Sequence, residues 1–219
     1  MLAVALSAVL GSAASAHASD RGPEVVAALR ETLRLSIERA LAGIARPDGF
    51  AANPAVRLQI PDQLGRAESM LRLAGHDRVV ERFSESLSRV AEHAVSAARP
   101  VLLAGAADVP LDDGHRVLAG GDIAATEALR RHVTGRVIEA LNPAVADAMD
   151  HMGATRRYKR FMKDAQFGGL MQPPNLDLDA YVVGRSVEAI FHSIGQEERR
   201  IRLDPAARPT PLLRRVFNR

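Results

Sequence analysis

"DLDAYVVGRSVEAIFHSIGQEERRIRLDP", Asp177 to Pro205, decides the fold. Tyr181, Val183, Val187, Ile190, Phe191, Ile194 and Ile201 recur at the spacing of one face of an α-helix, not at the alternation of a strand. Asp177 or Asp179 supplies the N-cap. Asp204-Pro205 closes the helix, because proline lacks a backbone donor and disfavours helical geometry in the residue before it. A helix of this length with a single apolar stripe must bury that stripe against other helices.

The rest of the chain repeats the pattern. Val26, Leu29, Leu33, Ile37, Ala40 and Ile44 mark a helix from Pro23 to Ala45, stopped by Arg46-Pro47-Asp48-Gly49. Residues 46–61 contain alternating Val56, Leu58 and Ile60 but no second strand to pair with, which predicts a packed loop or a short hairpin. A helix from Pro61 closes at Gly75, and Asp77 caps the next, whose stripe runs from Val79 through Phe83, Leu87 and Ala91 to Ala98. Short helices follow at Pro100–Ala107 and after Leu111-Asp112-Asp113. Gly120-Gly121 punctuate them, Asp122 opens a helix toward Leu141, and Asn142-Pro143 restarts it as far as Met152. A helix rich in Arg and Lys spans Ala154 to Phe167. Gly168-Gly169 and Pro173-Pro174 form a loop before the long helix, and "PTPLLRRVF" supplies a last amphipathic turn. The fold expected is all-α, a single-domain multi-helix bundle of about eight to ten helices over residues 19–219.

Composition agrees. The chain has 219 residues, 47% of them hydrophobic and 25% charged, the balance of a soluble globular domain. With no Trp, two Tyr and six Phe, the core must be aliphatic and alanine-rich. The first eighteen residues carry no charged side chain, an apolar run from Leu2 to Leu10, and Ala16-His17-Ala18 at their end. That run is shorter than the roughly 20 residues of a membrane span, so residues 1–18 read as a signal peptide cut after Ala18, followed by a periplasmic protein with no transmembrane span. The absence of Cys removes disulfides, thiolate chemistry and a lipoprotein anchor.

"LAGGDIAATEALRRH", Leu118 to His132, places two glycines before a helix and so asks whether it grips phosphate. It lacks the lysine and the spacing of a phosphate loop, and an acid, Asp122, stands where phosphate would approach. Asp122 is better suited to take the free amides of the helix start. The histidines at 76, 93, 115, 132, 151 and 192 show no metal-ligand spacing, and no cofactor or metal is expected. "DVPLDDGH" lacks the alternating ligands of a calcium loop. No serine-nucleophile elbow exists. Asp177, Asp179, Glu197 and Glu198 are conceivable as paired acids for glycoside hydrolysis, which needs two carboxylates about 5–10 Å apart, although Glu197-Glu198-Arg199-Arg200 also fits a solvated, salt-bridged face. Asp204, Arg208 and Thr210 fit a structural knot or an anion site.

Several of these segments together resemble the bacterial domain-of-unknown-function family four-one-nine-seven. The resemblance is carried by Pro47-Asp48-Gly49-Phe50 with Asn53-Pro54-Ala55-Val56, by Asp122 to Thr126 with Arg130-Arg131, and by Leu176-Asp177 with Tyr181-Val182. Glu197-Glu198 with Ile201-Arg202, and Asp204-Pro205 with Arg208, Thr210, Leu212-Leu213 and Val216-Phe217, complete it. It spans roughly residues 24 to 217 and departs at Pro209 and Pro211, which are expected to loosen the final helix. The resemblance implies an exported, all-helical protein and brings no activity or catalytic residue with it.

Three functions compete. The first is a non-enzymatic envelope protein that binds a partner or a small apolar or anionic ligand, with Asp122, Thr126, Arg130, Arg131, Glu197, Glu198, Asp204, Arg208 and Thr210 as candidate ligand-binding residues. The net charge is +3, and seven Arg against one acid between Arg199 and Arg219 could meet lipid or polysaccharide. The second is a periplasmic hydrolase using carboxylates and Arg from the C-terminal third. The third is a structural scaffold, recognisable by a broad exposed apolar face. Nucleic acid is not an expected partner, since export removes it and few aromatics are present to stack on bases.

Overall fold

The computed structural model describes residues 22–111, 114–165 and 175–218, and within them the chain is helical, with no strand. In chain order the helices are α1 (Gly22–Ile44), α2 (Gly65–Leu73), α3 (Asp77–Ala94), α4 (Arg99–Asp108), α5 (Gly114–Ala119), α6 (Ala124–His151), α7 (Ala154–Ala165), α8 (Leu178–Leu203) and α9 (Pro211–Phe217). The segment expected to be a signal peptide, Asp112-Asp113, the segment expected to be a Gly-Gly and Pro-Pro loop, and Arg219 lie outside the described residues. No described helix is long and apolar enough to cross a membrane.

The helix that carries the opening stretch, α8, lies between α1 and α6 and packs along both. Its stripe is the centre of the core: Val182, Ile190, Ile194 and Ile201 have no exposed surface. Burying each such side chain stabilises the fold by roughly 1.5–3 kcal/mol. Asp177 is its N-cap, its Oδ1 accepting from the Ala180 amide at 2.9 Å, while Asp179 sits in the first turn. Around this three-helix centre, α3 packs on α6 and α7, α4 on α6 and α1, and α5 and α9 on α1. Phe83 of α3 stacks on Phe161 of α7 with centroids 5.0 Å apart.

Of the two readings of residues 46–61 the packed loop holds and the hairpin does not, and three further local expectations change. Residues 46–61 form no hairpin; they are a series of turns whose Phe50, Val56, Leu58 and Ile60 are buried, because α3 supplies the hydrogen bonds that a second strand would have given. Glu92 accepts the amides of Phe50 and Ala51 at 3.0 and 3.2 Å, and Ser84 and Ser88 bond the carbonyl and amide of Leu58. Asp77 does not cap α3: His76 occupies the cap position, and Asp77 instead pairs with Arg72 at 3.1 Å. Pro143 does not restart a helix but lies inside α6, which continues through it to His151. Pro211 does not loosen α9, because it stands in the first turn, where no backbone donor is needed, behind a Thr210 cap that accepts from the Leu213 amide.

Two glycines record close approaches. Gly49 follows Asp48, whose φ is +62°, and a Cβ at Gly49 would stand 2.5 Å from the Ile44 carbonyl oxygen, so the chain leaving α1 can turn this tightly only without a side chain. At Gly105 of α4 a Cβ would stand 2.2 Å from Cγ1 of Val133 on α6. Alanine in a helix normally gains up to about 1 kcal/mol over glycine, but the β-branched Val133 has one strongly preferred rotamer and cannot swing away. Gly105→Ala is therefore expected to destabilise by about 1–2 kcal/mol net and lower the melting temperature by about 2–8 °C, while in a Val133→Ala background the same change becomes neutral or stabilising. Thermal melts of the four proteins of that cycle measure it.

Candidate functional site

The amides at the start of α6 do hold an anion, and it belongs to the protein. Glu198, fully buried on α8, accepts from the Ala125 amide at 3.1 Å through Oε1 and from both the Thr126 amide and Thr126 Oγ1 at 2.6 Å through Oε2. Arg202, one turn further along α8, donates from Nε to Glu198 Oε1 at 2.9 Å and from Nη1 and Nη2 to the carbonyls of Leu118 and Val117 at the end of α5. One ion pair on α8 thus supplies negative charge to a helix start and positive charge to a helix end, the signs that each terminus favours.

Arg208 continues the same network. It is buried and donates to the carbonyls of Ile201 and Arg202 at the close of α8, at 2.9 and 2.8 Å. The Phe217 ring of α9 lies 5.8 Å from the Arg202 guanidinium and 6.0 Å from that of Arg208. Asp204 accepts from the Ala206 amide, and Thr210 caps α9. Glu198, Asp204, Arg208 and Thr210 are therefore engaged in helix ends, and none of them lines either of the two clefts beside α8. Asp122 does not cap α6: it is exposed, 3.6 Å from Arg199, and its expected place is filled by Glu198. Arg131 is exposed and lines none of the described cavities.

The remaining candidates do gather. A cleft of about 380 Å³ is bounded by Ala55 and Val56 of the 46–61 loop, by Thr126 and Arg130 at the start of α6, and by Phe191 and His192 of α8. Arg130 lies over the Phe191 ring at 5.7 Å. Arg185 and Glu188, an ion pair on α8, close one side. A second cleft, about 290 Å³, adjoins it across α8 and shares His192; Arg39 and Arg46, Asn53, Gln196 and Glu197 line it. Glu197 Oε2 is buried there without a hydrogen-bond partner, 3.8 Å from Arg39 Nη1. Tyr181 ties the loop to α8, its hydroxyl donating to the Gln59 carbonyl at 2.8 Å, and burial raises its pKa, with the Arg185 charge opposing. Sequence reasoning missed Glu92 and His192. Glu92 stood off the apolar stripe of α3, and an isolated histidine carries no pattern.

The four acids do not form one cluster: Asp177 caps α8, and Asp179, whose pKa is raised by burial and then by the nearby Asp177 and Asp150 charges, sits in its first turn. Asp177 and Asp179 lie at one end of α8 and Glu197 and Glu198 near the other, about 29 Å apart at the rise of a helix, against about 5–10 Å for a glycoside-cleaving pair. No group of three or more His, Cys, Asp or Glu among the described residues could hold a metal ion. The C-terminal arginines are also engaged: Arg215 pairs with Glu24 at 2.9 Å, and Arg214 donates to the carbonyls of Arg208 and Pro209. The large exposed apolar side chains are Leu73, Ile123, Ile138 and Leu203, scattered over separate segments, so the described residues present no broad apolar face.

Removing Glu198 would leave a buried guanidinium and two buried amides without their acceptor. Glu198→Ala is expected to destabilise by about 3–5 kcal/mol, and Glu198→Gln by less, because an amide oxygen still accepts from the α6 start. Exposed Asp122→Ala should change stability by at most about 0.5 kcal/mol. Urea unfolding followed by circular dichroism gives this order, and an Asp122 variant as damaging as Glu198→Ala would refute the assignment of the cap.

No curated protein and no solved structure matches the chain. A family model does, over residues 21–218, and its description is "Protein of unknown function (DUF4197)". The span covers the whole bundle just described, from the first turn of α1 to the end of α9, and the chain belongs to that family.

Proposed function

We propose that this is an exported, non-enzymatic binding protein that holds a small ligand with an apolar body and an anionic group in the paired clefts beside α8. The observation that carries this reading is convergence: the 46–61 loop, the start of α6 and the 185–197 face of α8 meet around two clefts that share His192. The first cleft offers Val56, Ala189 and Phe191 for apolar contact and Arg130 for an anion. Arg130 has a ring partner but, among the described residues, no acid within ion-pair distance, so its charge is available to a ligand. Of the carboxylates that a hydrolase would use, Asp177, Glu198 and Asp204 are engaged at helix ends, and Asp179 and Glu197 stand far apart along α8, which favours binding over catalysis. Export rests on the uncharged apolar leader and its small-residue end before Ser19, and places the ligand or partner in the cell envelope.

The dye 1-anilinonaphthalene-8-sulfonate has the required shape, an aromatic body with one sulfonate, and the absence of Trp leaves its fluorescence unmixed with protein emission. It is expected to titrate as one saturable site on the folded protein, with Arg130→Gln weakening it by about tenfold, the value of one charge-assisted contact. Linear uptake, or an Arg130→Gln affinity equal to wild type, would count against the cleft. For export, the intact mass of protein released from the periplasm should correspond to a chain beginning at Ser19; a product retaining Met1 in the cytoplasm would refute that part.

A further inference from the structure

Among the described C-terminal arginines, Arg202, Arg208, Arg214 and Arg215 are turned to partners within the protein. A second basic set is only partly so. α7 carries Arg156, Arg157, Lys159, Arg160 and Lys163 against a single acid, Asp164. Its other face is sealed to the core by Ala154, Phe161, Met162 and Ala165, so the basic side chains point outward together. Beside them α3 presents Arg82 and Arg89. Two adjoining depressions lie between the helices. One, about 150 Å³, is lined by Val79, Phe83, Arg82, Arg157 and Arg160; the other, about 300 Å³, by Arg82, Arg89, Arg157, Glu85 and Ser86.

Neutralisation here is incomplete. Glu85 pairs with Arg89 at 2.6 Å and Asp164 with Arg160 at 3.6 Å. Among the described residues, Arg157 donates to the Met152 carbonyl alone, and Arg82, common to both depressions, has no acid within ion-pair distance. The cations at 156, 159, 160 and 163 follow helical spacing and run for about 10 Å along α7, and Arg82 and Arg89 run for a similar length along α3. A single phosphate would occupy two guanidiniums and leave the remainder unmatched. An array of phosphates in a plane would match them all.

We propose that the α3–α7 face docks the protein on a membrane surface of anionic phospholipid, the guanidiniums of Arg82 and Arg157 taking headgroup phosphates and Arg89, Arg156, Lys159, Arg160 and Lys163 adding long-range attraction. Arginine suits this role because its planar fork matches phosphate geometry. Since the apolar face of α7 is buried in the bundle, the described residues of that helix offer no apolar side chain to the acyl region, and their attraction to the surface is electrostatic and reversible. Each cation near such a surface is worth roughly a fivefold change in partitioning, and salt screens it. The face lies on α3 and α7, whereas the ligand clefts are built from the 46–61 loop, α1, α6 and α8, so the two sites can fail separately.

The test is co-sedimentation of the full chain with vesicles of 30% phosphatidylglycerol in phosphatidylcholine. Wild type is expected to bind these vesicles, to ignore pure phosphatidylcholine and to be released by half-molar salt. Arg82→Gln/Arg157→Gln should lower partitioning about 25-fold with its melting temperature and dye binding unchanged, while the charge-matched control Arg66→Gln/Arg131→Gln keeps wild-type binding to within about fivefold. Equal loss in the control would mean that net charge alone acts, and overturns the proposal. So would release by 10 mM inorganic phosphate at constant ionic strength, which would make this a free-phosphate site, or binding to dextran sulfate without binding to vesicles, which would make it a glycan site.

Discussion

The bundle depends on one carboxylate, that of Glu198. A buried charge of this kind is costly to desolvate, several kcal/mol even after relaxation, and it persists because each of its oxygens is used. It completes the start of α6, and through Arg202 the end of α5, so a single turn of α8 holds both sides of the Gly120-Gly121 turn. Arg208 then closes α8 itself, and Phe217 brings α9 under both guanidiniums. Backbone groups at helix ends must find partners somewhere. Here several ends find them in one connected polar cluster inside an aliphatic core.

The same solution appears at the other end of the chain's irregular structure. Glu92 of α3 serves the amides of Phe50 and Ala51 as Glu198 serves those of Ala125 and Thr126. In both cases a glutamate on a long helix reaches across to chain that is not yet, or no longer, helical. Between the two lie the clefts, with walls formed by the loop that Glu92 holds and the helix start that Glu198 holds. The clefts therefore inherit their shape from two buried acids that take no part in lining them.

The helices were legible in the sequence because their signal is periodic. The stripes on α1, α3 and α8 fall inward in the structure, and Phe83, Leu87, Ile190 and Ile194 are buried as their spacing requires. The polar cluster was less legible, since Glu197-Glu198-Arg199-Arg200 has the composition of a solvated face. Its register says otherwise: Glu198 follows Ile194 by four residues and precedes Ile201 by three, which puts it on the buried stripe, while Glu197 and Arg199 fall to either side. The error over Asp122 has the same origin. An acid adjacent in sequence to a helix start is a good cap by local rules, and those rules cannot see a carboxylate 72 residues away that reaches the same amides. Pro143 shows the limit from the other direction, for a residue that breaks an isolated helix is carried within α6 by the packing of Leu141, Val145 and Met149.

The loop between α1 and α2 is gripped by its main chain: Glu92, Ser84, Ser88 and Tyr181 all bond peptide groups of residues 50–59 and leave the side chains of Ala52 and Ala55 uncommitted. A scaffold held in that manner tolerates mutational drift at its rim without losing its course. Specificity in such a protein is free to diverge between descendants while the backbone that presents it stays the same.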